Sequence, residues 1–293
     1  MKNQSLASSE LILNEDGSIY HLNLKPEDIA TTIITVGDPD RVVDVSQHFD
    51  SIEVAIHKRE FKTHTGTYKG KRLTVISTGI GTDNIDIVFN ELDALVNIDF
   101  EKRIIKEKHT QLSFVRIGTS GSIQHNIPVD SFLISESAIG FDNLLHFYGN
   151  TDFLDNQFSE ALVKHTNWNS NKSKPYVVSG DANLIQTFST EGFSKGTTAT
   201  NVGFYGPQGR VLRLKTEDAN LNAKLENFEY KGVKITNLEM ETSGIYGMAA
   251  LLGHRAISLN AILANRANGT FSKNPRAIVN KLILKTLDTL VKK

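Results

Sequence analysis

Cysteine is absent from this chain of 293 residues. A disulfide scaffold, a thiolate zinc site and a cysteine nucleophile are therefore all excluded. No apolar run approaches the ~18 residues that a membrane-spanning helix needs. Residues 1–17 are mixed polar and acidic, without the apolar stretch of a secretory signal, so a soluble, cytoplasmic chain is expected. An excess of either charge is also missing. Lys and Arg number 32 against 33 Asp and Glu, a formal net charge of −1, which gives no global field toward nucleic acid or membrane. Neither GxxxxGKS/T nor GxGxxG occurs, so nucleoside triphosphate and dinucleotide binding lose their usual signatures. There is no internal repeat, low-complexity tract or linker.

What is present is an ordinary globular balance, 39% apolar and 22% charged residues. After a polar leader at 1–18, read as loosely ordered, short apolar runs alternate with longer amphipathic ones. TTIITV (31–36) reads as a buried strand. Residues 61–68 and 72–77 flank Lys69-Gly70-Lys71 as a hairpin. The second of these runs into Thr78-Gly79-Ile80-Gly81-Thr82, and helix-spaced Ile85, Val88, Leu92 and Leu95 follow. Residues 113–117, 132–134 and 257–263 read as further strands. Phe158, Leu162 and His165 suggest a surface helix. Ile278, Leu282, Leu287 and Val291 share the apolar face of a helix over 277–291. The charged stretch 99–109 (DFEKRIIKEKH) reads as a helix extension with a solvated face. Alternation of this kind argues for an α/β sheet with helices on its faces.

Chemistry collects in three places. Several strands end in glycine plus hydroxyl or arginine: GDPDR (37–41), GIGT (79–82) and RIGTSG (116–121). Glycine lets backbone N–H groups approach an anion, and arginine offers a planar fork of donors. Each such loop alone is more often a plain turn. Arg116 inside an apolar strand is more telling, because a buried charge needs a partner; an internal salt bridge is the plain alternative. The second place is Glu239-Met240-Glu241 at the start of a helix, where acids are common because of the dipole alone. The third is GFYGPQGR (203–210). There an aromatic face accompanies Gln208 and Arg210, which can read a carbonyl, N–H, carbonyl edge such as a pyrimidine presents. The plain alternative is a glycine-proline loop with solvated polar tips.

Taken together, these stretches resemble the nucleoside phosphorylase-I family, and within it the uridine phosphorylase branch. The resemblance rests on GDPDR (37–41), REF (59–61), STGIGT (77–82), RIGTSGSI (116–123), FYGPQGR (204–210), LEMETSG (238–244) and ILANR (262–266), in the family's order. It implies a single domain over 19–293, with a central mixed, twisted β-sheet flanked by helices. It implies phosphate ligands at Gly37, Arg41, Arg116 and Thr119, with Arg59 reaching phosphate in a neighbouring subunit. His21 is implied at the ribose 5′-hydroxyl across the same interface. Met240 and Glu241 are implied at the ribose, and Phe204, Gln208, Arg210 and Arg266 at the base. The catalytic set would be Arg116, Glu241 and Arg210.

The implied activity is reversible phosphorolysis of uridine to uracil and ribose 1-phosphate in nucleoside salvage, by a pentosyltransferase. The alternatives are a purine phosphorylase or nucleosidase of the same fold, or a non-catalytic nucleoside-binding protein. The purine branch carries an acid after the late strand, where this chain reads Ala264-Asn265-Arg266-Ala267-Asn268. Phosphate is a co-substrate, and no metal or organic cofactor is implied. Some members hold a monovalent cation at the dimer interface through the residue matching Glu60 and the loop after Gly81. Here that loop reads Thr82-Asp83-Asn84 in place of glycine, proline and serine. Residues 140–143 (GFDN) also depart from the arginine-containing loop of bacterial members. The partners implied are nucleoside, phosphate and further copies of the chain, at least a dimer and a hexamer in bacterial relatives.

Overall fold

The apolar runs bounded by glycine become strands, and the amphipathic stretches become helices on either side of them. A computed structural model of the chain describes residues 5–189 and 192–292. In chain order the first half holds β1 (Thr32–Val36), α1 (Pro39–Ser46), β2 (Ser51–Lys58), β3 (Phe61–Tyr68), β4 (Lys71–Ser77), α2 (Thr82–Asn97), β5 (Ile98–Asp99), β6 (Ile104–Ile105), β7 (Ser113–Ser122) and β8 (Phe132–Gly140). The second half holds α3 (Asn156–Thr166), β9 (Tyr176–Ser179), α4 (Ala182–Phe188), β10 (Phe193–Thr200), α5 (Leu221–Asn227), β11 (Glu229–Tyr230), β12 (Val233–Glu239), α6 (Thr242–Leu252), β13 (Arg255–Asn265), β14 (Thr270–Phe271) and α7 (Pro275–Val291).

The main sheet runs β11-β12-β10-β8-β13-β7-β1-β4-β3-β2 and is mixed. β1 lies parallel to both β4 and β7, and β13 is parallel to β7 but antiparallel to β8. An additional antiparallel pairing, Asn237 with Ser122 and Leu238 with Gly121, ties the end of β12 to the end of β7. β7, β13, β8, β10 and β12 thereby close into a ring. The hairpin between β3 and β4 turns through Lys69 at φ 46° and Gly70 at φ 79°. Two successive positive φ values match the twist of the strands they join.

Central strands are buried on both faces, so their apolar residues divide by parity. Ile33 and Phe114 join the core beneath α2 and α6, while Ile34 and Val115 join the core beneath α1 and α7. α2 buries Ile85, Val88, Phe89, Leu92 and Leu95. α6 is buried at every position from Thr242 to Ala249, so its N-terminus sits deep in the molecule. Among the described residues no helix is long and apolar enough to cross a membrane.

Two expectations change. The stretch 99–109 does not extend α2. The helix stops at Asn97, and β5 and β6 pair as a short hairpin. Local chemistry decides this. The Asp99 carboxylate accepts the Lys102 N–H at 3.0 Å, Arg103 takes φ 56°, and β-branched Ile104 and Ile105 favour a strand. The leader is also not loose where it is described; its residues 1–4 lie outside the described residues. Leu11 is only 4% exposed and packs in the core. Arg103 donates to the carbonyls of Leu6, Ala7 and Leu11 and straps the segment down. Leu11→Ala should therefore cost about 2–4 kcal/mol in urea unfolding, as for a core leucine. A cost below about 0.5 kcal/mol, the range of a surface substitution, would mean the segment is not part of the packed body.

Candidate active site

β1 lies parallel to β4 and β7, Thr35 pairing with both Ile76 and Arg116, and β7 runs on past them to Ser122. The exits of β1 and β4 deliver 37–41 and 79–81 to the edge where the last residues of β7, 118–121, also lie, the place where open α/β sheets hold their ligands. Ring closure brings the end of β12, and with it Met240 and Glu241, up against the end of β7. The result is a cavity of about 930 Å³. Gly37, Arg41, Arg116 and Thr119 line it, together with Met240, Glu241, Phe204, Gln208 and Arg210. Nine residues anticipated from the sequence are thus brought into one space.

Arg116 is the centre of the polar end. It is 6% exposed. Its Nη2 lies 2.7 Å from Glu241 Oε2 and 3.1 Å from Glu239 Oε2. Its Nη1 donates to Asn260 Oδ1 at 3.0 Å. Burial works against its charge, and the two carboxylates more than offset that, so its pKa is held above the usual arginine value. Arg41, in the first turn of α1, shifts the other way. Burial lowers its pKa, and the neighbouring Arg116 lowers it further. Two guanidinium groups that disfavour each other make a place where an anion is welcome. Asp38 caps the same helix, accepting the Asp40 N–H at 2.9 Å.

The two acids around Met240 divide their work. Glu239 accepts the Thr200 hydroxyl at 2.6 Å and the Glu241 N–H at 2.9 Å. It also accepts the Thr242 N–H, so it satisfies the first amides of α6 at the positive end of that helix. Glu241 occupies the cap position itself and is held from two sides, by Arg116 and by the Gly81 N–H at 2.9 Å. Gly81 sits at φ 97°, a conformation that only glycine adopts readily. Burial raises the Glu241 pKa, against the pull of Arg116. A carboxylate has about four acceptor sites, so two fixed donors leave room for ligand hydroxyls. Sequence reasoning gave Glu239 no role of its own. The paired acids were the available sign, but their different duties depend on the tertiary contacts.

The opposite end is built by the loop after β10, with a tight turn over Gly206–Gln208. The Arg210 guanidinium carbon lies 3.8 Å from the centre of the Phe204 ring. Its Nη1 donates to Gln208 Oε1 at 2.6 Å. Gln208 is buried, and its backbone carbonyl accepts from Asn222 and Arg266. Arg266 is not among the cavity-lining residues and braces Gln208 from behind. The late-strand residues that do line the cavity, Leu263 and Ala264, are apolar. Asn265 is occupied elsewhere, donating to the carbonyls of Gln124 and Ile127.

Besides Arg266, two further anticipated residues stay outside. His21 Nδ1 lies 2.6 Å from Glu91, which also accepts the N–H groups of His21 and Leu22. Arg59 is exposed, at φ 56°, with its guanidinium 5.8 Å from the Tyr20 ring. Neither lines the cavity of its own chain.

Known proteins resemble this chain over most of its length. A uridine phosphorylase of Thermococcus kodakarensis is 29% identical over 281 residues, covering 92% of this chain and 86% of the relative. A DeoD-type purine nucleoside phosphorylase of Listeria monocytogenes is 23% identical over 275 residues, covering 93% and 99% of the two chains. The crystal structure of a Trypanosoma brucei nucleoside phosphorylase, which shows uridine phosphorylase activity, superposes with a TM-score of 0.86 at 30% identity, covering 96% of this chain and 99% of that one. Residues 31–291 match the model of the phosphorylase superfamily, and the chain belongs to that family.

Proposed function

We propose that this chain is a uridine phosphorylase, exchanging the base of uridine for inorganic phosphate. One observation carries the reading. A single cavity is lined by the guanidinium groups of Arg41 and Arg116, by the Glu241 carboxylate anchored by Arg116 and Gly81, and by a Phe204-Gln208-Arg210 set. Phosphate, ribose and a pyrimidine base are the ligands that such a set of groups fits. The absence of an acid among the late-strand lining residues favours the pyrimidine over a purine.

In the forward direction phosphate lies between Arg41, Arg116 and Thr119, beneath the sugar. Glu241 accepts from the ribose hydroxyls and fixes the ring. The bond from C1′ to the base nitrogen breaks with its electron pair passing to the base. Arg210 and Gln208 donate to the base carbonyls as negative charge builds there. A phosphate oxygen then forms the new bond at C1′. Donors that strengthen as charge develops lower the barrier, whereas equal binding of ground and transition states does not. The scheme uses phosphate as co-substrate and calls for no metal or organic cofactor. His21 and Arg59 lie outside their own cavity and would complete that of a second copy, so the working unit is at least a dimer. We place it in the cytoplasm.

Arg116→Lys keeps a cation for the two buried carboxylates but removes the fork, and should lower kcat/KM for phosphate by about 10²-fold or more. Parental kinetics in that variant would contradict the role of Arg116. Arg116→Ala is a poorer probe, because two unpaired buried carboxylates should also cost about 3–5 kcal/mol of stability.

Gln208→Ala combined with Arg210→Ala should reduce uridine phosphorolysis by about 10²–10³-fold while sparing any purine nucleoside activity. Equal losses on both substrates would remove the base-reading role.

Glu241 must be ionised to accept hydroxyls, and its raised pKa means that ionisation is lost early as pH falls. At saturating phosphate, the acid limb of kcat/KM for uridine should therefore lie above the ordinary glutamate value of 4.5. Glu241→Gln should abolish that limb together with most of the activity. A wild-type limb at or below 4.5 would contradict the assignment.

A further inference from the structure

Arg116 does not project straight out of its strand. Side chains at i and i+2 of a strand share a face, so Arg116 and position 118 lie one behind the other on β7. The Arg116 guanidinium is laid over position 118. A Cβ there would fall 1.7 Å from Arg116 Nη1, 2.3 Å from Cζ and 2.7 Å from Nη2. Those are its three nearest atoms, and all belong to Arg116. Gly118 is not among the positive-φ glycines, so its backbone conformation does not demand glycine. Arg116 alone accounts for the missing side chain.

The neighbouring strand supplies the end stop. Ser258 pairs with Arg116 and Asn260 with Gly118 across β13 and β7. Asn260 is fully buried. Its Oδ1 accepts from Arg116 Nη1 at 3.0 Å, while its Nδ2 donates to Ser135 Oγ at 3.1 Å. The guanidinium donates only, so the amide oxygen must face it, and the amide N–H is left for Ser135. A neutral acceptor holds the group without adding a third carboxylate beside it, which would repel phosphate.

We propose that Gly118 and Asn260 are positioning residues for phosphorolysis: an open slot on β7 and an oriented amide on β13 hold Arg116 where it meets both Glu241 and the incoming phosphate. The inference rests on the reading of Arg116 as a phosphate ligand. It explains why a glycine is needed at a strand position whose φ is not positive.

The test is steady-state kinetics on the full-length protein with phosphate and uridine varied separately, alongside thermal melting. Gly118→Ala should melt below the parent, because it displaces a guanidinium paired with two buried carboxylates, so the kinetics of the folded protein carry the test. The variant should lose about 10²-fold in kcat/KM for phosphate, as for an ångström-scale misplacement, with a much smaller change in KM for uridine. Asn260→Ala should show the same selectivity for phosphate with a smaller loss. A purely structural role would lower the melting temperature and leave both KM values alone. Parental kcat/KM for phosphate in Gly118→Ala would overturn the proposal. If that variant does not fold, parental phosphate kinetics in Asn260→Ala would overturn it. Arg116→Lys separates the two layers: if it is impaired while Gly118→Ala is parental, only the positioning role falls. If Arg116→Lys is itself parental, the phosphate-site reading falls and this proposal with it.

Discussion

The molecule turns on one buried guanidinium held between two carboxylates. Taking three charges out of water costs several kcal/mol per ion, and mutual attraction repays that only with good geometry and further hydrogen bonds. Here the further bonds exist. Glu239 is held by Thr200 and the first amides of α6, Glu241 by Gly81, and Arg116 by Asn260. Replacing the group with hydrocarbon would make an adequate core but no site. The polar triad is instead a fixed electrostatic arrangement whose carboxylate and guanidinium both face a cavity. Preorganised charge of this sort needs no rearrangement when charge develops on a substrate.

The fold exists around that arrangement in a definite sense. Parallel β1, β4 and β7 bring three glycine-bearing segments to one edge, and the closing pair between β12 and β7 carries Glu239 and Glu241 to them from the far side of the ring. Without closure, the acids would lie several strands away from Arg116 across the sheet. α6 then begins at the triad and is buried along its first two turns, so the helix terminus and the acids that satisfy it are fixed together.

Much of this could be read from residue order. TTIITV, the glycine exits and the Lys69-Gly70 turn declare their local structure because short-range sterics and apolar parity decide it. Arg116 stood out because an arginine between Val115 and Ile117 has no cheap place in a core. Other features went unread. The pairing of Asn237 with Ser122 joins residues far apart in the chain and leaves no local trace. The edge strand β2 carries the alternating Ile52, Val54 and Ile56, a strand signal that the sequence reading passed over. The stretch 99–109 was misread because its charges suggested a helix face, whereas Asp99 and Arg103 set a turn. The separate duties of Glu239 and Glu241, and the bracing role of Arg266, follow from contacts that only the folded chain defines.

The central claim is that the cavity seats phosphate under a nucleoside and that phosphate is the group that cleaves it. The most direct measurement is release of free uracil from uridine with and without added phosphate, together with quantitation of the sugar product. The account predicts no uracil without phosphate, and one ribose 1-phosphate formed per uracil when phosphate is supplied. Uracil released at the same rate in phosphate-free buffer, with free ribose as the product, would contradict it.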